Sequence, residues 1–272
     1  MTGRAVSAAR LPGLRVLAWI GRWTRLRLHF ALSLMAMAAG VLFESVMVWS
    51  WRRPTRMELR RILRQTVGGS LAATIVVAAI VGLGVVYQAF YWLRVAGEEG
   101  SIGTILVTVL LREVLPLLVG VILLGRSGSI NLIELGDLQR SKQFHALLRQ
   151  GIDPFNFLIL PRGIAFALAS YTLGIVFVVV MLLVGYSAAA LLSVVQESIW
   201  AFLDDFLSAT GPRDFIIFPV KMLAIGLMIA VTTSLTALSA GPAEDVGHLT
   251  ARGFVRGMLA IMMTSGFLSL AA

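Results

Sequence analysis

The stretch Leu111–Arg162, LREVLPLLVGVILLGRSGSINLIELGDLQRSKQFHALLRQGIDPFNFLILPR, decides how the rest of the chain is arranged. It starts inside an apolar segment long enough to cross a bilayer, continues through a polar segment and a turn, and ends at a second long apolar segment. A polar connection of this kind between two membrane spans is exposed on one side of the membrane, where a partner can bind it.

The composition places the chain in the class of all-α polytopic membrane proteins. Of its 272 residues, 58% are hydrophobic and only 14% are charged, whereas soluble proteins carry about 25% charged residues. No cysteine is present, which excludes disulfides, thiolate metal sites and cysteine nucleophiles. The positive charges lie beside apolar segments and accompany no nucleic-acid-binding motif, so the net charge of +9 indicates membrane topology and contacts to anionic lipid.

Five apolar segments are predicted to cross the membrane: Gly69–Leu93, Ile102–Leu124, Ile164–Leu192, Phe215–Leu238 and Phe254–Leu270. Arginines flank a sixth segment, residues 28–51, at both ends, so a single crossing would place one basic cluster on the wrong side. We therefore predict an interfacial (elbow) helix there, although a full crossing stays open at this stage. The chain is divided into a basic membrane-associated segment, residues 1–66, and a five-helix transmembrane domain, residues 67–272.

Basic residues are concentrated in alternate connections between these spans. Residues 1–64, 126–162 and 240–256 together contain 19 of the 23 lysines and arginines. The connections 94–101 and 193–214 contain only two arginines against six acidic residues. The positive-inside rule therefore predicts that the N-terminus is cytoplasmic and that the C-terminus lies on the opposite side of the membrane.

Arg112 and Glu113 lie near the middle of the second predicted span, where charged residues are costly and face a cavity or a partner. Two interpretations stay open: the two residues form internal ion pairs, with Lys221 as a candidate partner, or they line a substrate cavity. Lys221 lies near the outer end of the fourth predicted span, where its ammonium group could also reach the membrane surface.

The connection 126–162 contains a helix-compatible segment from Asn131 to Gln150, in which Ser141-Lys142 interrupts the apolar stripe. Gly151 is a candidate C-cap for this helix, and Asp153-Pro154 is a candidate turn. Two interpretations of the helix stay open. It is either an amphipathic helix on the membrane surface or a handle for a cytoplasmic partner.

The sequence contains no recognisable catalytic or metal-binding motif. A P-loop is absent, so this chain does not hydrolyse a nucleotide through one, and its three histidines are scattered singly. We therefore predict that the chain is not an enzyme and has no catalytic residues, metal ligands or cofactor of its own.

Any two-fold symmetry is expected to come from a second copy of the chain. No internal repeat of 20–50 residues is found, and an odd number of spans argues against two inverted halves. The pattern Gly253-x-x-x-Gly257 has the spacing of close-packed helix pairs and gives weak support for dimerisation.

Several motifs resemble those of the MlaE permease family, the membrane subunits of ABC systems that move lipids together with MCE-domain proteins. The resemblance covers about residues 55–272 and rests on Leu110–Pro116, Gly125–Ser129, Glu134–Gly136, Gly151–Pro154 and Pro161-Arg162. Leu115 stands where relatives usually have glycine, and Ser141–Leu147 differs from the acidic run that relatives carry. The chain is similar to a divergent member of that family.

The resemblance implies a permease subunit that moves phospholipid or a similar lipid between the bacterial inner membrane and an extracytoplasmic MCE-type partner. It implies two copies of the chain around an outward-facing cavity and a separate ATPase dimer that uses ATP. The implied cavity residues are Val85, Gln88, Leu93, Arg112, Glu113 and Val114. The implied ATPase-contacting residues, on a cytoplasmic coupling helix, are Glu134, Asp137, Leu138, Arg140, Phe144 and Leu147.

Two other functions stay open. A membrane scaffold that anchors an extracytoplasmic lipid-binding partner would move nothing, so its function would not depend on Glu113 or on an active ATPase. An intramembrane lipid-modifying enzyme is disfavoured because the sequence contains no recognisable nucleophile or metal cluster.

Overall fold

The computed structural model describes residues 12–47, 49, 51–88, 91, 106–192, 198–241 and 244–271, and all regular structure there is helical. The α-helices of this part of the chain are α1 (Pro12–Val46), α2 (Arg53–Val81), α3 (Leu115–Leu123), α4 (Ser129–Arg140), α5 (Gln143–Arg149), α6 (Leu160–Leu191), α7 (Ile199–Ala209), α8 (Asp214–Leu238) and α9 (Val246–Ala271). Four π-helical segments extend or join them: π1 (Gly82–Val86), π2 (Leu106–Val114), π3 (Leu124–Gly128) and π4 (Phe155–Ile159).

Six helical stretches in the described residues are long and apolar enough to cross a membrane. They are Leu28–Val46, Arg53–Val85, Val107–Arg140, Phe155–Leu191, Asp214–Leu238 and Val246–Leu270. The predicted class of an all-α polytopic membrane protein is therefore confirmed. The division into five spans and one interfacial helix stays a prediction, as does the domain division at residue 66.

The second of the predicted spans extends further than the sequence suggested. We expected the chain to leave the membrane at Gly125–Ser129 and then to form a separate short polar helix. Instead, Val107–Arg140 is one apolar helix, and π3 carries it through this segment. Small residues are useful here, since Gly128 packs against the side chains of Leu124 and Thr233. Residues 131–150 are mostly helical, as predicted, but they form the end of this long helix and α5, with the break at Ser141-Lys142. Only the separation of this helix from the second span was wrong, and the connection that follows the long helix is residues 141–153.

The helix Val107–Arg140 and α8 run parallel to each other. Arg112 contacts Asp214 near one end of the pair, and Asn131 contacts Thr233 near the other. Both contacts join residues 102 positions apart in sequence, as parallel helices in register require. Between two parallel helices the chain has to run back along the bundle once, and α6 makes that return.

Two connections lie at the same end of the bundle. Arg140, the last residue of α4, donates a hydrogen bond to the carbonyl oxygen of Glu244, which lies just before α9. The connection that carries α7 follows the opposite end of α6. This arrangement agrees with the predicted grouping of residues 126–162 and 240–256 on one side of the membrane.

The core of the bundle is built around α6, which packs against α2, α8 and π1. Its largest buried side chains are Phe166, Leu173, Phe177 and Met181. Because lipid is as apolar as these side chains, close packing between helices stabilises the bundle more than the burial of apolar surface does. At Gly226 of α8, an added Cβ atom would overlap with backbone atoms of Phe166 and Ala167. Glycine is therefore required where α8 crosses α6.

The Gly253-x-x-x-Gly257 pattern has a role within the chain. An added Cβ atom at Gly253 would overlap with the side chain of Leu132, and one at Gly257 would overlap with that of Leu124. Both glycines therefore allow α9 to pack closely on the helix Val107–Arg140. The suggestion that this pattern serves dimerisation loses its basis.

Replacing Gly226 by alanine is expected to destabilise the protein by about 1–3 kcal/mol, the usual cost of overpacking a filled interior. The backbone atoms that meet the new methyl group cannot rotate away, unlike a side chain. Thermal unfolding of the purified protein in detergent measures the effect. Gly266→Ala is the control, because nothing lies within 4 Å of its added Cβ atom. Equal melting temperatures for the two variants would contradict the packing argument.

Candidate functional site

The candidate site begins at π2, which carries Arg112 and Glu113. Pro116 follows in the first turn of α3 and cannot donate a backbone hydrogen bond, so the preceding helix has to change its hydrogen-bonding pattern. Wider π segments are one such change and occur frequently at functional sites. The side chains of Arg112 and Glu113 are both close to half exposed, at 46% and 49%.

Arg112 forms a two-pronged ion pair with Asp214, the first residue of α8. Its Nε atom lies 2.6 Å from Oδ1 and its Nη2 atom 2.8 Å from Oδ2. The Asp214 side chain is only 2% exposed, and its Oδ2 atom also accepts a hydrogen bond of 3.0 Å from the backbone N–H of Gly211. A carboxylate in the first turn also interacts favourably with the dipole of α8. Asp214 is thus fixed, and it holds Arg112 in place.

Glu113 pairs with Lys221, whose ammonium nitrogen lies 3.4 Å from Oε2. The Lys221 side chain is 3% exposed and also donates to the carbonyl oxygen of Arg112, at 2.5 Å, and to the Ser269 hydroxyl, at 2.6 Å. The ion-pair interpretation with Lys221 is therefore confirmed for Glu113. The alternative that Lys221 reaches the membrane surface is wrong, because Lys221 joins π2, α8 and α9 inside the bundle.

Sequence reasoning missed Asp214 as part of this site. It counted Asp214 only among the acidic residues of an outer connection. The available indication was its position at the start of an apolar span, where a carboxylate is favoured by the helix N-terminus. Its partner is 102 residues away, so only the folded chain reveals the pairing.

The remaining predicted cavity residues are distributed over different surfaces. Val85, in π1, and Gln88, just after it, are exposed, and π1 packs against α6. Val114 is partly buried and packs against the core. Leu93 lies outside the described residues. Within one copy of the chain, π2 packs instead against α7, α8 and α9.

An apolar groove of about 240 Å³ lies beside Asp214. Its walls come from α6, α7 and α8 and include Tyr171, Val178, Phe206, Phe215 and Phe218. Asp214 and Thr210 are polar residues at its lining, so the groove is apolar with a polar edge. Among the residues that the structure describes, no group of three or more His, Cys, Asp or Glu side chains could hold a metal ion.

The predicted coupling residues fall into two groups. Asp137, Leu138 and Arg140 lie near the end of α4; Asp137 is exposed and Arg140 bonds Glu244. Phe144 and Leu147 lie on α5; like Leu138, they are partly buried and pack against a cluster of core residues within the chain. The most exposed apolar side chain of α5 is Leu148, at 59%.

Glu134, predicted to contact the ATPase, has a side chain that is 33% exposed and that also pairs within the chain. Its Oε2 atom lies 3.1 Å from Nη2 of Arg162, and its Oε1 atom accepts a hydrogen bond from Gln65. Gly151 has φ = 71° directly after α5 and the turn residue Gln150, so the predicted helix end at this glycine is confirmed.

Long apolar helices joined by buried ion pairs, with a short polar connection at one end, define a polytopic membrane protein. The family model described as Permease MlaE matches residues 59–271. The chain belongs to the MlaE permease family.

Two relatives are about equally similar to this chain. The protein TRIGALACTOSYLDIACYLGLYCEROL 1, chloroplastic, of Arabidopsis thaliana is 31% identical over 211 residues, which are 76% of this chain and 59% of that protein. A "Probable ABC transporter permease protein" of Synechocystis is 30% identical over 201 residues, which are 74% of this chain and 76% of the relative. This chain therefore spans less than two thirds of the Arabidopsis protein. Both the family and the second relative's name indicate a membrane permease subunit.

Removing Arg112 is expected to destabilise the protein more than removing Asp214 does. Arg112→Ala leaves a buried carboxylate unpaired, at a cost of about 3 kcal/mol, whereas Asp214→Ala leaves only a half-exposed guanidinium. Thermal unfolding in detergent compares the two variants, with the exposed neighbour Arg213→Ala as the control. A larger loss for Asp214→Ala would contradict this assignment of the buried partner.

Proposed function

We propose that this chain is the permease subunit of an ABC-type transporter that moves phospholipid or a similar lipid. A separate ATPase dimer would drive it, and an MCE-type partner outside the inner membrane would give or receive the lipid. The supporting observation is the pair of half-exposed charges on π2, Arg112 and Glu113, which are held by buried counter-charges among apolar helices.

The chemistry of this surface suits an amphiphile. Apolar walls accommodate acyl chains, and a few fixed polar groups accommodate a headgroup. The Arabidopsis relative bears the name of a galactolipid, trigalactosyldiacylglycerol, which supports a lipid substrate. Val85 and Gln88, which were also predicted to line the cavity, are exposed. Two copies of the chain would bring these residues and π2 together around an outward-facing cavity.

The connection 141–153 would be the contact with the ATPase, on the cytoplasmic side that the positive-inside rule predicts. Leu148 is an exposed apolar anchor there, and Asp137 is an exposed polar residue close by. Phe144 and Leu147 anchor α5 to the bundle, because their side chains pack against buried residues of the same chain. Separate ATPase subunits are expected because relatives are described as ABC transporter permeases.

Replacing Glu113 by glutamine is expected to lower ATP-driven lipid transfer about tenfold, since hydrogen bonds to charged groups contribute about 1.5 kcal/mol or more. The assay follows a labelled phospholipid between proteoliposomes that contain the permease with its ATPase and an acceptor that carries the MCE-type partner. Asp204→Asn, at an exposed carboxylate of α7, is the matched control. Transfer that does not depend on Glu113 or on an active ATPase would contradict ATP-driven transport, and a wild-type complex that transfers no lipid would favour the scaffold function instead.

Replacing Leu148 by aspartate is expected to abolish co-purification of the ATPase, because a charge at an apolar anchor of an interface is costly. The permease itself should keep its melting temperature, since Leu148 is 59% exposed. Leu192→Asp, a 62% exposed leucine at the opposite end of α6, is the control and should leave ATPase binding intact. ATPase recovery with Leu148→Asp equal to wild type would refute the contact.

A further inference from the structure

A buried arginine lies where α2, α4 and α6 meet. Arg162, in the first turn of α6, is 2% exposed. Its Nη1 atom donates to the carbonyl oxygen of Leu158 at 3.0 Å, and its Nη2 atom lies 3.1 Å from Oε2 of Glu134 on α4. The second carboxylate oxygen of Glu134 accepts a hydrogen bond of 3.3 Å from Gln65 on α2. One carboxylate therefore connects three helices.

The Glu134 carboxylate is bound strongly to Arg162 and more weakly to Gln65. An unpaired guanidinium in the interior is costly, so Arg162 keeps Glu134 as its partner. Gln65 is exposed and makes a neutral hydrogen-bond donation, which is a weaker link to α2. A cavity of about 20 Å³ beside these side chains has polar lining groups and room for one water molecule. The packing around Glu134 therefore leaves space for a small shift.

Irregular helical segments border this region on both sides. π3 lies directly before α4, and π4 lies directly before α6. Insertions of this kind interrupt the regular hydrogen-bond pattern and are places where helices bend. The segment between them contains α4, α5 and the connection 141–153. A force on that connection can therefore turn α4 relative to the rest of the bundle.

We propose that Glu134, held by Arg162 and Gln65, is the joint that passes movement of the connection 141–153 to α6 and α2 together. The proposal rests on the transport function proposed above and assigns Glu134 a positioning role inside the permease rather than a contact with the ATPase. Without the joint, α4 turns at π3 while α2 and α6 stay in place. ATP hydrolysis then continues without moving the helices around the lipid cavity.

The test measures the number of ATP molecules hydrolysed per lipid transferred by the complete complex in proteoliposomes. Glu134→Gln keeps the size of the side chain but removes its charge, so the complex should assemble and hydrolyse ATP. The ratio is expected to rise about fivefold, the low end of the usual coupling between sites. Gln65→Leu removes only the link to α2 and should raise the ratio by a smaller factor. Because Gln65 is exposed, this variant is expected to fold.

Two further variants separate the joint from simple stability. Asp204→Asn removes an exposed carboxylate of α7, away from the joint, and it should leave the ratio unchanged. The exchange of charges, Glu134→Arg with Arg162→Glu, should recover coupling lost in Glu134→Gln, because the pair is restored in reverse.

The outcomes distinguish this proposal from the proposed function. If the wild-type complex hydrolyses ATP and transfers no lipid, the transport function itself fails. If the wild-type complex transfers lipid and both Glu134→Gln and Gln65→Leu keep its ratio, the joint is overturned while transport stands. A lower melting temperature with an unchanged ratio also overturns it, since that result assigns Glu134 a purely structural role.

Discussion

The free-energy cost of placing charge inside an apolar bundle governs the arrangement of this protein. Three buried charged residues belong to α6 or α8: Arg162, Asp214 and Lys221. Their more exposed partners all lie on the helix Val107–Arg140: Arg112, Glu113 and Glu134. In each pair, loss of the more exposed member would leave an unpaired charge in the interior. The exposed member is therefore held in position, yet keeps part of its surface available to a substrate or a neighbouring chain.

Hydropathy and local patterns were sufficient to predict the class of protein and most of the long helices. A separate helix was expected after Gly125–Ser129, but the helix continues through this segment, where Gly128 packs against Leu124 and Thr233. Gly151 was predicted correctly, since a positive φ after a helix is a local requirement that glycine meets. Local requirements can be recognised from a sequence, whereas contacts between distant segments cannot.

The candidate site illustrates that limit. Arg112 and Glu113 stood out because charges are rare in an apolar span, but their geometry depends on α8, about 100 residues later. The pairing of Glu134 was missed for a similar reason. Its partner Arg162 follows a second span, and no periodic pattern indicated that the two would meet. Family resemblance identified the motifs but not which side chains face each other.

The parallel packing of α8 on the helix Val107–Arg140 explains why one joint could matter for transport. These helices are fastened at one end by Arg112 with Asp214 and at the other by Asn131 with Thr233. Since Asn131 belongs to α4, α4 and the adjoining part of α8 therefore move as a unit when the end that carries Glu134 is displaced. The contacts of that unit with α6 are mostly apolar and include the glycine-mediated crossing of α6 and α8, and such surfaces can slide by small amounts. Charged contacts resist sliding more strongly than apolar contacts do. The ion pair between Glu134 and Arg162 therefore determines whether α6 moves together with α4 and α8.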